Sequence, residues 1–131
     1  MIINTKLSDV IESFHSSFVD KKEIPSSLEM LWLEKAIGQY SVEMSPLTYD
    51  KELGEFGSKL DRYVIDILAT MMKVYYMERE YSRTNKIVSI VGTDLSVNGN
   101  SNLSKYAKDE LEKTEKLLEE MLNDLKPTAY N

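Results

Sequence analysis

Five apolar residues, Leu60, Val64, Ile67, Met71 and Val74, recur at steps of four and three along one stretch of the chain. Such steps gather every side chain on one side of a 3.6-residue helix, whereas a strand would scatter them over both faces. Tyr63, Leu68 and Tyr75 widen the stripe, which predicts a helix covered on more than one side. Ser58 with Asp61 supplies its expected start, and "MEREYSRTNK" its polar end. The stretch "SKYAKDELEKTEKLLEEMLNDLK" repeats the pattern with Leu111, Thr114, Leu118, Met121 and Leu125, flanked by Leu117 and Leu122. Asp109 with Lys113 and Glu112 with Lys116 are i,i+4 pairs in the favourable orientation, each worth about 0.2–0.5 kcal/mol. Pro127 closes that helix. Helices of this kind gain most of their stability by packing an apolar face, so further partners are required.

Two shorter segments supply them. In "SDVIESFHSSF", Asp9 reads as an N-cap with Glu12 three residues on, and Val10, Ile11, Phe14 and Phe18 share one side. The charged linker "VDKKEIP" follows. Ser26 and Glu29 then form an S-x-x-E start pattern directly after Pro25, and Leu28, Leu31, Trp32, Lys35 and Ile37 place an apolar stripe with one charged break. Gly38 reads as the residue that ends this helix. Beyond it "YSVEM" alternates Tyr40, Val42 and Met44 with polar residues, which suits a short extended piece; continued helix is the competing reading over 40–44. "SPLTYDKELGEFGS", with Pro46, Gly54 and Gly57, reads as the main irregular connection. The expected fold class is mainly α: a small four-helix bundle-like domain with a long extended or hairpin-like insert between the third and fourth helices. At 131 residues the whole chain, 1–131, is the size of a single domain. The seven methionines fall mostly at core-facing positions, where a flexible side chain fills gaps.

Residue chemistry narrows the function. The sole histidine, His15, follows Glu12 at the i,i+3 spacing of bundle di-iron sites, but such sites need a second Glu-x-x-His and the chain has no second histidine. Asp50, Glu52 and Glu55 do not match the twelve-residue calcium-loop spacing. Neither a G-x-S-x-G elbow, a phosphate-binding G-x-x-x-x-G-K-[ST] loop nor a G-x-G-x-x-G occurs. The expectation is a protein that is not an enzyme and needs no cofactor or metal. The chain has no cysteine, which fits assembly in a cytoplasm, and "MIINTKLSDV" lacks the features of a secretory signal. No apolar run approaches the length needed to span a bilayer, so no membrane partner is expected. Net charge is −6, distributed as −5 over 1–58, +1 over 59–103 and −2 over 104–131. An acidic chain without a basic stripe does not grip phosphate backbones, though DNA can slide past it. In "KVYYMEREY" and the residues after it, Tyr76, Tyr81 and Arg83 are side chains of the kind enriched at protein–protein contacts.

The stretch "IVSIVGTDLSVNGNSNLSK", residues 87–105, stands out from its helical surroundings. Ile87, Val88, Ile90 and Val91 favour an extended backbone or a last helical turn before Gly92. Leu95 and Val97 alternate with polar residues, and Asn98 followed by Gly99 is a turn signal. A hairpin of this size is marginal by itself in water, and connections this long between helices are usually functional or disordered. Residues 87–103 are therefore expected to project as a loop or arm whose packing partner is another chain, the alternative being a loop folded back on its own bundle. Ile90, Val91, Leu95, Val97 and Asn98 are the expected contacts in the arm, and Tyr130 in the tail 126–131.

The runs "WLxxAIGxY", "LDRYVIxxLAxMMKxYYxxRExSR" and "VGTDLSVNGN", within a similarity that covers about residues 7–126, resemble the head-to-tail connector proteins of tailed bacteriophages and prophages, also called adaptor, neck or head-completion proteins. The resemblance implies a helical subunit of the virion, assembled in the bacterial host cytoplasm. Its partners would be itself, in a ring of about twelve copies, the portal protein, and an adjacent neck or tail-completion protein. Such a ring extends the DNA channel, through which DNA passes without sequence-specific binding. On this reading the segment 87–103 is an intersubunit or channel-facing arm and "KPTAYN" a docking peptide. The alternative is a small helical adaptor or regulatory protein that binds a partner helix without forming a ring.

Overall fold

The seam of four- and three-residue steps lies on the longest helix of the molecule, and the other elements are placed by how they cover it. Along the chain run α1 (Leu7–Ser16), α2 (Ser26–Glu43), β1 (Tyr49–Asp50), β2 (Glu55–Phe56), α3 (Arg62–Val91) and α4 (Val97–Leu125). The computed structural model describes residues 3–18, 23–91 and 97–126, with side chains at 3–18, 23–86 and 104–126. The architecture is mainly helical, with one two-stranded sheet. At 30 residues, α3 is about 45 Å long.

Val64, Ile67, Leu68, Met71, Val74 and Tyr75 of α3 are buried as the stripe predicts, together with Met72, but Leu60 precedes the helix and Tyr63 at its start is exposed. Around them α1 contributes Leu7, Val10 and Phe14, α2 contributes Leu33, Ala36, Ile37 and Tyr40, and α4 contributes Leu118 and Leu122. Phe14, Phe18, Trp32 and Tyr76 meet edge to face, with ring centroids 4.9–6.4 Å apart. Pairs of this geometry add about 0.5–1.5 kcal/mol each beyond the area they bury. Tyr76 is thus a core residue (6% exposed), which corrects its expected place at an interface; the rings of Phe14, Phe18 and Trp32 converge on its own. α1 and α2 pack on α3 and on each other, whereas among the described residues α4 packs on α3 alone.

The helix starts differ from the sequence reading. The Lys6 N–H donates to Asp9 Oδ2 at 3.0 Å, so Asp9 sits inside the first turn of α1 and reaches back, rather than capping the helix itself. α2 does begin at Ser26, but Glu29 does not return to its start; it is drawn into the α1–α2 contact by His15. For α3, the carbonyl of Asp61 accepts the N–H groups of Val64 and Ile65 at 3.0 and 3.2 Å, while Ser58 gives its carbonyl to the N–H of Thr5.

Gly38 does not end α2, which continues to Glu43. A Cβ at Gly38 would meet nothing within 4 Å, so the glycine neither fills a tight contact nor turns the chain. The helix continues because its next turn buries Tyr40 (4% exposed), a gain that exceeds the roughly 1 kcal/mol cost of a helical glycine. Residues 40–43 are therefore helix and not strand. Leu31 of the expected α2 stripe points outward, 62% exposed, and Leu33 takes the core position.

The irregular connection contains the β1–β2 hairpin, which pairs Tyr49 with Phe56 and Asp50 with Glu55. Gly54 closes its turn at φ +69°, a left-handed conformation that suits glycine. Asp50 Oδ1 accepts the N–H groups of Glu52 and Leu53, so this acidic residue shapes a turn. The segment before α1 pairs with the hairpin, with Phe56 N–H donating to Thr5 O at 2.8 Å and Leu7 N–H to Gly54 O at 2.9 Å. Phe56 is thereby pressed into the core.

The expected insert is mostly helix. α3 runs on through Ile90 and Val91, and α4 begins at Val97, so Asn98 and Gly99 lie in its first turn and not in a hairpin. Residues 92–96, with Leu95 among them, lie outside the described residues. Adding a turn to an existing helix costs far less than starting one, and the two long helices support each other: Ser104 Oγ donates to Asn85 Oδ1 between them. At the other end Tyr63 Oη donates to the Met121 carbonyl at 3.2 Å. The two helices are therefore antiparallel.

Candidate functional site

Three places bring polar side chains together. The first is the contact of His15 with Glu29, Nε2 to Oε2, which ties α1 to α2 beside Glu23, Ile24 and Pro25. Glu29 is buried there, and about half of the His15 side chain is exposed. The neighbouring hydroxyls are engaged elsewhere. Ser13 donates to Asp66 Oδ1 at 3.0 Å, and Ser16 and Ser17 donate to the carbonyls of Ser13 and Phe14. The pair thus serves as a link between helices. Among the described residues no group of three or more histidine or acidic side chains could hold a metal ion.

The second place follows from the packing. α2 and α4 both lie against α3 but, among the described residues, do not meet, and the space between them is an open groove of about 490 Å³. Val74, Tyr75, Leu118 and Leu122 form its floor, and Gln39, Glu43, Glu78, Glu115 and Glu119 rise around it, with Asn123 and Lys126 at one end. The four carboxylates are exposed. Tyr75 Oη donates to Gln39 Oε1 in the wall, and the Lys35 ammonium lies 4.3 Å from the centre of the Tyr75 ring. Burial, and then the charges of Glu78 and Glu43, push the Tyr75 phenol up to about 12. Glu115 and Glu119, one turn apart on α4, repel each other, at a cost of a few tenths of a kcal/mol to the isolated chain.

The third place is the part of α3 beyond the groove, where Arg79, Ser82, Arg83, Asn85 and Lys86 line a shallow surface depression. Arg79, Ser82, Arg83 and Lys86 are spaced i, i+3, i+4 and i+7, which puts them along one side of the helix. Arg83 forms an exposed ion pair with Glu80 at 3.4 Å. Arg79 and Arg83 repel each other as Glu115 and Glu119 do.

Of the residues expected to make contacts, Arg83 is exposed and Tyr81 half-buried. Two residues apart, they diverge around the helix by about 200° and cannot form one patch. Ile90 and Val91 lie in the last turn of α3, and Val97 and Asn98 in the first turn of α4. Leu95 and Tyr130 lie outside the described residues. The groove carboxylates were not among the expected contacts. The same-sign pair Glu115 and Glu119 was the available sign, though Glu120 and Asp124 repeat it on the same helix, and Glu43 joins the pair only through the tertiary fold. No family model matches the chain, and no curated protein and no solved structure matches it.

Proposed function

We propose that this chain is a structural subunit of the head-to-tail connector of a tailed bacteriophage or prophage. It assembles with copies of itself into a ring that joins the portal protein to the neck or tail and extends the DNA channel. The virion is its place of action, and the host cytoplasm its place of assembly. The observation that carries the reading is that, among the described residues, α4 packs on α3 alone, which leaves an open groove beside it for a neighbour to cover. The resemblance of "LDRYVIxxLAxMMKxYYxxRExSR" and "VGTDLSVNGN" to connector proteins supports the same reading. The acidic balance suits a conduit past which DNA slides. No helix among the described residues is long and apolar enough to cross a membrane.

A second reading, a helical adaptor that accepts one partner helix without forming a ring, is favoured by the groove itself, since the gap between α2 and α4 is a place for a helix. Light scattering and negative-stain imaging of the purified chain, alone and with a candidate portal, separate the two. Annuli of many copies support the connector; a 1:1 complex with a helical peptide and no annulus supports the adaptor. A chain that stays solitary beside every capsid-vertex component overturns the connector reading.

A further inference from the structure

The acid-rimmed groove and the basic stretch of α3 follow one another along the molecule. Both belong to the same continuous helix: Tyr75 and Glu78 on the groove side, Arg79, Arg83 and Lys86 beyond it. At 1.5 Å per residue, Lys86 stands about 12 Å further along the axis than Glu78. Each patch also contains a same-sign i,i+4 pair, Glu115 with Glu119 and Arg79 with Arg83, which opposite charge from a neighbour would relieve; Glu80 already offsets part of the charge of Arg83 within the chain. The two patches are complementary in sign and similar in length, about two helix turns each.

We infer that the groove between α2 and α4 takes the basic stretch of α3 from a second copy of this chain, with Arg79, Arg83 and Lys86 facing Glu78, Glu115 and Glu119. The inference rests on the self-assembly part of the connector reading and names its contact. The floor of the groove is already closed by Val74, Tyr75, Leu118 and Leu122, so the contact is mainly electrostatic. It weakens with salt on the scale of a Debye length of about 8–10 Å. Because donor and acceptor patches differ, the contact can pass head to tail from copy to copy, which a ring requires.

The test uses the full chain, with self-association followed by sedimentation velocity across a concentration series at low and high salt. Reversal of the acidic pair, Glu115→Lys with Glu119→Lys, is expected to weaken self-association about tenfold or more, since reversal replaces attraction with repulsion at two exposed positions. Reversal of the basic pair, Arg79→Glu with Arg83→Glu, is expected to do the same. All four reversals in one chain, and an equimolar mixture of the two double variants, are expected to restore association. Thermal melts by circular dichroism verify that each variant folds. If wild type self-associates and the folded double variants associate equally well, or if the four-fold reversal fails to restore contact, the inference is overturned while the connector reading stands. If wild type stays monomeric with and without the portal, both fall.

Discussion

The two halves of α3 have the same secondary structure and opposite surroundings. From Val64 to Tyr76 most side chains are buried, and those of Ile67, Leu68, Met71 and Met72 are fully enclosed. From Met77 to Lys86 none is buried, and the exposed ones include both signs of charge. Against the first half pack the buried side chains of α1, α2 and α4, and along the second Ser104 of α4 reaches Asn85. A helix that continues well past its own core gains little folding stability from the extra turns. In the proposed connector the first half makes the molecule fold and the second makes it assemble.

Substitutions in the enclosed half should show the largest effects. Met71→Ala or Leu68→Ala removes a fully buried side chain and is expected to cost about 2–5 kcal/mol in urea denaturation, because the surrounding layers cannot close the cavity. A cost under about 1 kcal/mol would mean that the core is looser than its burial implies. Next in size is a pH effect at the border of the two halves. Folding raises the Tyr75 phenol to about 12, while the unfolded chain loses that proton near the ordinary value of about 10. The contribution is therefore intact below about pH 10 and lost as pH rises toward 12, on the order of 2–3 kcal/mol in total. The stability difference between wild type and Tyr75→Phe should narrow or invert as pH rises from 9 to 11.5; a constant difference would place the phenol in water.

Gly38→Ala tests the covering helix instead of the covered one. With no atom within 4 Å of the new methyl group, the variant should be stabilised by about 1 kcal/mol through helix propensity. Destabilisation would show that α2 ends near Gly38 after all. Smallest of all, Ser82→Ala and Lys86→Ala in the uncovered half should change monomer stability by no more than about 0.5 kcal/mol. A larger loss would mean that this half belongs to the folding core.

The same division decides what could be read from the sequence. The seam through Val64, Ile67, Met71 and Val74, and that through Leu111, Leu118 and Leu125, are legible because local periodicity and tertiary burial agree there. Elsewhere a local signal is outweighed by a distant one. Gly38 carries a stop signal, yet Tyr40 and the core of α3 hold the helix past it. Ser26 and Glu29 spell a capping pattern, yet His15, fourteen residues earlier, takes the carboxylate. Ile87 through Val91 have strand-forming side chains, but the long helix beneath them propagates through that stretch. The groove was the least legible feature, because Glu43, Glu78 and Glu115 come from three helices and share no motif.

Hydrogen exchange of the α3 backbone amides over a range of protein concentrations compares the two halves within one molecule. The expected result is strong protection at residues 64–76 that does not vary with concentration, and protection at 78–86 that is weak in dilute solution and rises as copies associate. Equal protection of both halves in dilute solution, unchanged on concentration, would contradict the division of α3 into a folding half and an assembly half.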